Sequence, residues 1–380
     1  MSDRTSWMSR LGLRHPIIVA PMAGVSTSEL VAQVSNVGAL GSLAIGPDSP
    51  ELGRRRITET QSKTSRPFNV NLFCHRTSSH PQLDAAWLDH LRPEFARFDS
   101  EPPPHLDEPY DTAWSNVELQ QMVLRTSPTV VSFHFGLPDV AFLRALRRAG
   151  ILTMACVTSP DEARQAARAS VDVLVAQGVE AGGHRGCFDP ARDSQLTTAA
   201  LVRRLVRLTN LPVVAAGGIM NGSAIATMLA EGACAVWMGT AFVLCPESGA
   251  DPAYRAALRR ASATPKHRFE GAAESVTVSP TADSDPTDMI ATTGVTSAIS
   301  GRPARGLVNR FHRIGRAYPH RLPGYPRTYA AGKALHQLAA AHQCEDYAAH
   351  WAGRGVAQAR TLPAADLVEV LTEERLRHQS

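Results

Sequence analysis

The sequence predicts an α/β protein folded as a (β/α)8 barrel, and three observations support this fold class. Short apolar segments rich in β-branched residues alternate with longer segments of helical periodicity. Eight apolar segments of this kind occur between residues 16 and 239. Most are apolar almost throughout, as parallel strands buried on both faces are. A doubly wound open sheet is the alternative, but the first strand is not followed by the GxGxxG turn typical of that fold.

The predicted strands end at glycine, proline, asparagine or serine, residues that favour turns. In chain order they are PIIVA (16–20), GALGSL (38–43), FNVNLF (68–73), TVVSFHF (129–135), ILTMACV (151–157), VDVLVAQ (171–177), LPVVAAG (211–217) and CAVWMG (234–239). Their alternation with helices predicts a barrel of parallel strands.

Helices are predicted between several of these strands. The segment 159–169 has the clearest start, because Ser159 is a suitable N-cap and Pro160 fits the first helical turn. Asp161 and Glu162 then place negative charge where the helix dipole favours it. The other predicted helices cover residues 28–36, 139–149, 197–209 and 222–231.

Two long regions interrupt this alternation. Residues 76–128 are polar and rich in proline, and we predict an extended loop or extra helices there. Residues 246–330 are rich in threonine, serine, aspartate and proline, and a segment of this length inside a compact domain usually has a function. We therefore predict a barrel over 1–245, an inserted lid or small substrate subdomain over 246–330, and helices over 331–380 that pack back on the barrel.

The composition is that of a globular protein rather than a disordered one. The 380 residues are 44% hydrophobic and 19% charged, and the net charge is +4. Arg54–Arg56 is the tightest basic run, and a solvated helix face explains it better than a nucleic-acid surface. No segment has the character of a signal peptide or of a membrane span. We expect a cytoplasmic protein without nucleic-acid or membrane partners.

Two glycine turns lie where barrels commonly bind phosphate, after the seventh and eighth strands. Gly217–Gly218 ends the seventh strand, and Gly239–Thr240 ends the eighth. Glycine exposes backbone N–H groups to a dianion without obstruction by a side chain, and the Thr240 hydroxyl adds a donor. The alternative is that these glycines only form tight turns. Because both turns fall at the expected positions, we interpret them as a phosphate site.

Amide side chains lie at the ends of two other strands. Asn69 and Asn71 belong to the third strand, and Gln177 ends the sixth. Amides both donate and accept hydrogen bonds, so they suit the edge of a flavin ring or of a nucleobase. The alternative is that they satisfy loop backbone. Together with the phosphate turns, they favour FMN as the cofactor.

The segment VLVAQGVEAGGHRGCF (173–188) places a histidine directly after two glycines. Gly182 and Gly183 would let the backbone pass close beneath a flat ligand. His184 would then lie over the reactive face of that ligand, where an imidazole can hydrogen-bond an anionic substrate or take a proton from carbon. A structural histidine is the alternative, but the glycine pair and the position at the barrel mouth favour a catalytic one.

The sequence does not decide the roles of two other reactive side chains. His134, at the end of the fourth strand, is either a second site residue or a packed side chain. Cys187 has no obvious base paired with it, so we interpret it as a bystander. The six cysteines are scattered, without CxxC pairs or the His/Cys spacing of zinc sites, and we predict free thiols and no metal site.

The sequence resembles nitronate monooxygenases, formerly called 2-nitropropane dioxygenases, in six segments taken together. They are PIIVAPMAGVSTSELVAQVSNVGALGSL, FNVNLF, VVSFHFGLP, AQGVEAGGHRG, PVVAAGGI and MGTAF. The resemblance runs from about residue 14 to the C-terminus. Within it, SGRPARGLVNRF and HWAGRG look like the class I bacterial branch of that family.

The resemblance implies a barrel enzyme that holds FMN noncovalently, with the phosphate at Gly217–Gly218 and Gly239–Thr240. Asn71 and Gln177 would reach the flavin ring or the ribityl chain, and Met22 would pack beside the ring. All of these positions lie in the segments that carry the resemblance.

The sequence also departs from the family pattern at two positions. Trp237 stands where the family usually has glutamine, directly before Met238, and this puts one cofactor contact in doubt. We keep Trp237 and Met238 as expected cofactor contacts. Cys187 replaces a residue that is commonly threonine.

The resemblance implies a reaction as well. In this family an alkyl nitronate gives one electron to the flavin, and oxygen completes conversion to a carbonyl compound and nitrite, with no nicotinamide. His184 falls on the family's active-site histidine, and it would be the base if the substrate is the neutral nitroalkane. The expected partners are therefore a nitronate or nitroalkane and O2. The sequence does not determine the oligomeric state, and a homodimer is the candidate.

Three alternatives to this function remain. FMN-dependent enoyl-acyl-carrier-protein reductases of the same superfamily carry a similar Gly-Gly-His element but use a reduced nicotinamide, and GRPARGLVNRF argues against them. A second alternative is a barrel that binds FMN or another phosphate ligand without catalysis. The third is a family member with a dedicated biosynthetic substrate.

Overall fold

The computed structural model describes residues 4–77, 80–263 and 293–378. Each of the eight predicted strands is present, with bounds that differ from the prediction by a few residues. The strands are β1 Ile17–Val19, β2 Gly41–Ala44, β3 Phe68–Phe73, β4 Val130–His134, β5 Leu152–Val157, β6 Val173–Gln177, β7 Gly183–His184, β8 Val213–Ala216, β9 Ala235–Met238, β10 Thr293–Thr296 and β11 Ala304–Leu307.

Helices follow most of these strands. They are α1 Ser6–Arg10, α2 Ser28–Asn36, α3 Pro50–Lys63, α4 Pro81–Ala96, α5 Val117–Thr126, α6 Val140–Arg148, α7 Pro160–Arg168, α8 Thr198–Leu208, α9 Gly222–Ala230, α10 Pro252–Ala263, α11 Arg310–Ala317, α12 Arg327–Ala341 and α13 Ala364–Arg377. Ser159 caps α7 as predicted, because its side chain accepts a hydrogen bond from the Glu162 N–H. The region 76–128 carries α4 and α5.

Eight parallel strands form a closed barrel. Their order is β1, β9, β8, β6, β5, β4, β3 and β2. The two ends of this series meet where Ile18 pairs with Leu40. There the Leu40 N–H donates to the Ile17 carbonyl at 3.0 Å, and the Val19 N–H donates to the Leu40 carbonyl at 2.9 Å. The (β/α)8 barrel is confirmed, and the open-sheet alternative is wrong because the sheet closes on itself.

Apolar side chains fill the barrel. One cluster of buried residues draws on most of the strands and includes Trp7 from α1, which is 2% exposed. Other clusters lie between the strands and the surrounding helices, and α13 joins one of them through Leu367 and Leu371. The carboxyl ends of the strands are left as the open face, which is where barrel enzymes place their active sites.

A second small core lies beside the barrel. It joins side chains of α4, α11 and α12, among them Trp87, Phe311 and Leu335. Two ion pairs reinforce it, Glu94 with Arg310 and Asp84 with Arg327. The two irregular regions of the sequence therefore pack against each other. Residues 264–292 of the predicted 246–330 insertion lie outside the described residues, so the domain boundaries stay a prediction.

A three-stranded antiparallel sheet connects this second core to the barrel. Its order is β10, β11, β7. In β7, His184 pairs with Ala304 and Gly183 pairs with Arg305. The loop that carries His184 is thus held by a strand that lies 120 residues further along the chain, which positions the histidine through tertiary structure rather than through its local sequence.

Candidate active site

A cavity of about 350 Å³ opens at the carboxyl ends of the barrel strands. It is lined by residues of the barrel loops and of the C-terminal part of the chain. Twelve of the site residues predicted from the sequence line it, namely Met22, Asn71, Gln177, Gly182, Gly183, His184, Gly217, Gly218, Trp237, Met238, Gly239 and Thr240. The structure therefore brings the predicted set together in one place.

The glycine turns after β8 and β9 form one end of this cavity. Among the described residues, no hydrogen bond uses the backbone N–H groups of Gly217, Gly218, Gly239 or Thr240. The φ angles of Gly217 and Gly218 are +123° and +72°, which only glycine adopts readily. The four residues are half-buried and line the cavity, and backbone N–H groups without a protein partner in such a place suit an anionic ligand.

The Thr240 hydroxyl belongs to the same end of the cavity. It accepts a hydrogen bond from the Gly353 N–H at 3.0 Å. Its own hydrogen has no acceptor among the described residues, so the hydroxyl can donate to a ligand. Gly353 also lines the cavity. The segment WAGRG (351–355) thus adds a third glycine element, which the sequence analysis noted only as part of the family resemblance.

The two positions before His184, Gly182 and Gly183, require glycine for different structural reasons. A Cβ on Gly182 would lie 2.5 Å from the backbone nitrogen of Gly353. The crossing of segment 351–355 is therefore enough to require glycine at position 182, whether or not a ligand lies beside it. Gly183 has a φ of +75°, and a Cβ there would meet no atom within 4 Å. Open space in front of Gly183 fits the prediction that a ligand lies beside it.

His184 lies at the other end of the cavity and is held by two elements. Its Nε2 lies 2.8 Å from the hydroxyl of Ser300, a fully buried residue. Its backbone carbonyl accepts hydrogen bonds from Gln177 Nε2 at 2.9 Å and from His134 Nε2 at 3.2 Å. The other ring nitrogen, Nδ1, has no partner among the described residues. Nδ1 is therefore the atom of His184 that is available to a substrate.

Burial keeps both histidines of the cavity neutral. Burial is the main cause that lowers the pKa of His184 to about 3, and the neighbouring His134 and Arg302 side chains lower it further, since a second positive charge beside either of them is unfavourable. Burial lowers the pKa of His134 to about 4, although its hydrogen bond to the His184 carbonyl opposes this shift. At neutral pH neither imidazole carries a charge.

Gln177 and Asn71 use their amides differently. The Gln177 oxygen accepts from Gly186 N–H at 2.8 Å and from Arg185 Nη1 at 3.2 Å, while its nitrogen donates to the His184 carbonyl. Gln177 thus satisfies loop backbone, the alternative stated above, with one N–H left over. Asn71 donates to the Ser132 hydroxyl at 2.9 Å. No group of the described residues donates to the Asn71 amide oxygen, so this oxygen is free for a ligand.

Asn69 does not line the cavity. Its nitrogen donates to the hydroxyls of Ser42 and Ser132 inside the barrel, at 3.1 and 2.9 Å. Asn69 is fully buried. It therefore stabilises β2, β3 and β4 rather than reaching a ligand.

Aromatic side chains that no sequence pattern indicated surround His184. Phe135, Tyr325, Tyr329 and Trp351 have ring centroids 5.1 to 5.9 Å from that of His184. All four line the cavity. Phe135 also has a φ of +71°, a strained conformation for a bulky residue. The quoted segment VVSFHFGLP contains Phe135, but no periodicity or spacing pointed to the tyrosines.

The cysteines near His184 are buried. Cys187 does not line the cavity and is fully buried, with its sulfur accepting from the Thr158 hydroxyl at 3.5 Å. Burial raises the pKa of its thiol to about 11. Cys156 does line the cavity, and burial raises the pKa of its thiol as well. Neither thiol is activated as a nucleophile.

Two kinds of feature are absent from the described part of the chain. Over residues 4–77, 80–263 and 293–378, no group of three histidine, cysteine, aspartate or glutamate side chains could hold a metal ion. No helix within the same ranges is long and apolar enough to cross a membrane.

Comparison with known proteins identifies the family. A family model described as nitronate monooxygenase matches residues 5–265. A nitronate monooxygenase of Pseudomonas aeruginosa is 47% identical over 98% of this chain and 99% of its own. The crystal structure of nitroalkane oxidase from Streptomyces ansochromogenes superposes with a TM-score of 0.81 at 35% identity, covering 98% of this chain and 99% of that one. FabK from Thermotoga maritima is more distant, with a TM-score of 0.69 and 26% identity over 99% and 97% of the two chains. The chain belongs to the nitronate monooxygenase family.

Proposed function

We propose that this protein is an FMN-dependent enzyme that oxidises alkyl nitronates with O2 to a carbonyl compound and nitrite. One observation carries the proposal beyond family membership. A single cavity has four unpaired backbone N–H groups at one end and a neutral histidine among aromatic rings at the other. The first end suits a phosphate, and the second suits a flat ring with a small substrate beside it.

The residues present fit FMN. The N–H groups of Gly217, Gly218, Gly239 and Thr240, with the Thr240 hydroxyl, would hold the phosphate. The free oxygen of Asn71 and the spare N–H of Gln177 would contact the ring or the ribityl chain. Further contacts are expected from Met22, Gly182, Gly183, Trp237 and Met238. FMN supplies the electron acceptor of the reaction when it is bound.

The low pKa of His184 favours a nitronate over a neutral nitroalkane as the substrate. A base whose conjugate acid has a pKa of about 3 is too weak to remove a proton from carbon efficiently near pH 7. A nitronate has already lost that proton. We therefore assign His184 to binding and orienting the nitronate through Nδ1, while Ser300 holds Nε2 and the aromatic rings exclude water.

The proposal is tested with the purified protein. It should be yellow, release FMN on heating, consume O2 with propyl-2-nitronate or propionate-3-nitronate, and produce nitrite. Freshly dissolved neutral 2-nitropropane is the matched control and should react far more slowly at pH 7. A colourless protein that cannot be reconstituted with FMN would contradict the cofactor assignment. A yellow protein inert toward every nitronate would contradict the reaction.

A reductase is the second candidate, because FabK resembles this chain over nearly its full length. The two candidates differ in the electron donor. Mixing the yellow protein with NADH or NADPH under nitrogen should leave its colour unchanged on the time scale of nitronate oxidation. Rapid bleaching by either nucleotide would favour the reductase.

A further inference from the structure

Arg302 is a buried arginine directly behind the His184 side of the cavity. It is 5% exposed. Its Nη1 donates to the Cys187 carbonyl at 2.6 Å, and its guanidinium carbon lies 4.6 Å from the centroid of the Phe135 ring. The same ring also packs against Tyr325 and His184, with centroids 5.0 and 5.6 Å away. Phe135, Tyr325 and His184 line the cavity and Arg302 does not, so the guanidinium contacts the cavity wall through the Phe135 ring.

No carboxylate pairs with Arg302 among the described residues. The carboxylates of Asp189 and Glu162 act on it only at longer range. Both oxygens of Glu162 are occupied by hydrogen bonds, from the Phe188 N–H at 2.9 Å and from the Thr158 N–H at 2.5 Å. By contrast Arg185, which is also buried, forms a bidentate ion pair with Asp193 at 2.9 and 3.0 Å. Arg302 thus carries a buried charge that its protein surroundings do not neutralise.

A buried and unpaired cation is costly, so its position calls for an explanation. Burial lowers the pKa of Arg302, but an arginine remains protonated in proteins. Its charge is also one of the causes that lower the pKa values of His75, His134 and His184. The guanidinium therefore acts on groups at the cavity wall. An anion inside the cavity would feel the same field with a favourable sign.

We propose that Arg302 supplies a fixed positive charge behind the cavity wall, which makes the cavity prefer planar monoanions over neutral molecules of the same shape. The inference rests on the proposed function in naming the nitronate as the monoanion that benefits and in taking FMN as the resident cofactor. Arg302 does not contact the substrate in this account. It determines specificity through its charge, across the Phe135 ring.

The expected effect of the Arg302 charge on anion affinity follows from its distance to the cavity. The guanidinium carbon lies within about 10 Å of the His184 ring, because the Phe135 centroid is 4.6 Å from the first and 5.6 Å from the second. At an effective dielectric constant of about 20, a unit charge at about 10 Å changes affinity for a monoanion roughly tenfold or more. Isobutyrate and isobutyramide are suitable probes, because they have nearly the same size and shape, each carries a planar head group, and they differ in charge. Their dissociation constants are measured by calorimetry on the purified FMN-containing protein, without turnover.

Two variants that remove the charge of Arg302 test the proposal. If one of them does not fold, the other still gives a result. In R302Q, which keeps a donor for the Cys187 carbonyl, and in R302M, isobutyrate should bind about tenfold or more weakly. Isobutyramide should bind within about twofold of its affinity for the unmodified protein in both. R302K keeps the charge and should retain most of the preference for the anion.

Arg305 offers a matched control. It is also 5% exposed and also donates to backbone carbonyls, those of Val179 and Thr293. However, it is not among the charges that affect the pKa of His184. R305M should lose stability without changing the ratio of the two affinities. Lys333, whose ammonium lies 4.6 Å from the Tyr110 ring, is exposed, so the effect of K333M should be small and should disappear at high salt.

The outcomes separate this inference from the proposed function. If R302Q and R302M weaken the binding of both probes equally, or weaken the binding of neither, the inference is wrong even where nitronate oxidation is observed. If the protein oxidises no nitronate but loses only isobutyrate binding in these variants, the inference stands and the proposed substrate is wrong. An equal loss of anion preference in R305M would also overturn it, because any buried arginine would then have the same effect.

Discussion

The two ends of the cavity recognise ligands by different means. At the end near β8 and β9, the polar groups are backbone N–H groups on Gly217, Gly218, Gly239 and Thr240. At the other end, recognition depends on side chains: His184, its aromatic neighbours and the charge of Arg302 behind them. Backbone groups are positioned by the strands that precede them. Side chains at the second end are positioned by segments that fold over the barrel from far along the chain.

This difference predicts where substitutions act. A change at the backbone end should affect FMN binding and leave substrate selection intact. A change at the side-chain end should affect substrate binding and leave FMN in place. The following variants test this separation.

The largest effect is expected for Gly217→Ala. A Cβ there would lie 2.8 Å from Thr198 Oγ1 and 2.9 Å from the Ala181 nitrogen, at a φ of +123°. The turn must shift, and loss of N–H contacts to a charged phosphate should weaken FMN binding roughly 100-fold. Flavin fluorescence titration of the stripped protein measures this. Gly150→Ala is the control, because Gly150 also has a positive φ, +73°, but open space around it. Equal FMN affinity in both variants would contradict the phosphate assignment.

His184→Asn should affect the other end. Loss of a hydrogen bond to a charged substrate should lower kcat/KM for propyl-2-nitronate roughly 10- to 100-fold. The FMN content of the variant should stay unchanged, because the glycine turns are intact. His134→Asn is the comparison variant and should have a smaller effect, since the His134 ring nitrogen bonds only the His184 carbonyl. Loss of FMN from His184→Asn would show that the two ends are not separate.

Acid should destabilise the side-chain end. Burial lowers the pKa of His75 to about 3, and its ring packs 4.8 Å from that of Tyr325. Because the unfolded chain binds this proton at an ordinary pKa near 6.5, stability is lost as the pH falls below that value. In His75→Phe, the fall in unfolding free energy between pH 7 and pH 5 should be smaller by about 2 kcal/mol.

Urea denaturation at the two pH values measures this difference. His320→Phe, at an exposed position, is the control and should behave like the unmodified protein. An unchanged pH dependence in His75→Phe would show that the buried imidazole is not a source of acid sensitivity.

The smallest effect is expected for Thr240→Val at the backbone end. The substitution keeps the shape and removes one donor, so FMN affinity should fall about five- to tenfold. It also removes the acceptor of the Gly353 N–H. The ratio of affinities for isobutyrate and isobutyramide should not change. A changed ratio would mean that the hydroxyl contacts the substrate rather than the phosphate.

The barrel and the backbone end could be predicted from the sequence because their signals are local. Each strand is an apolar run with its turn residue attached, and Gly217–Gly218 and Gly239–Thr240 directly follow two of these runs. The closure between Ile18 and Leu40 then follows from the number of strands. The requirement for glycine at position 182 could not be predicted. It arises from close contact with Gly353, which lies far away in the chain.

The side-chain end was only partly predictable. His184 carried a signal because two glycines precede it. Ser300 and Trp351 lie in segments that carried only the family resemblance, and Tyr325 carried no signal. Their place beside His184 depends on how α4, α11 and α12 pack and on the pairing of β11 with β7. Arg302 lies in the quoted segment SGRPARGLVNRF, but its burial without a carboxylate is a property of the fold.

The central claim is that a neutral His184 binds an already anionic nitronate beside FMN. The most direct test is the pH dependence of kcat/KM for preformed propyl-2-nitronate between pH 6 and 9, followed by O2 uptake. Because burial holds the pKa of His184 at about 3, the imidazole stays neutral throughout this range, and kcat/KM should show no inflection near pH 6.5. A titration near pH 6.5 that disappears in His184→Asn would contradict the account.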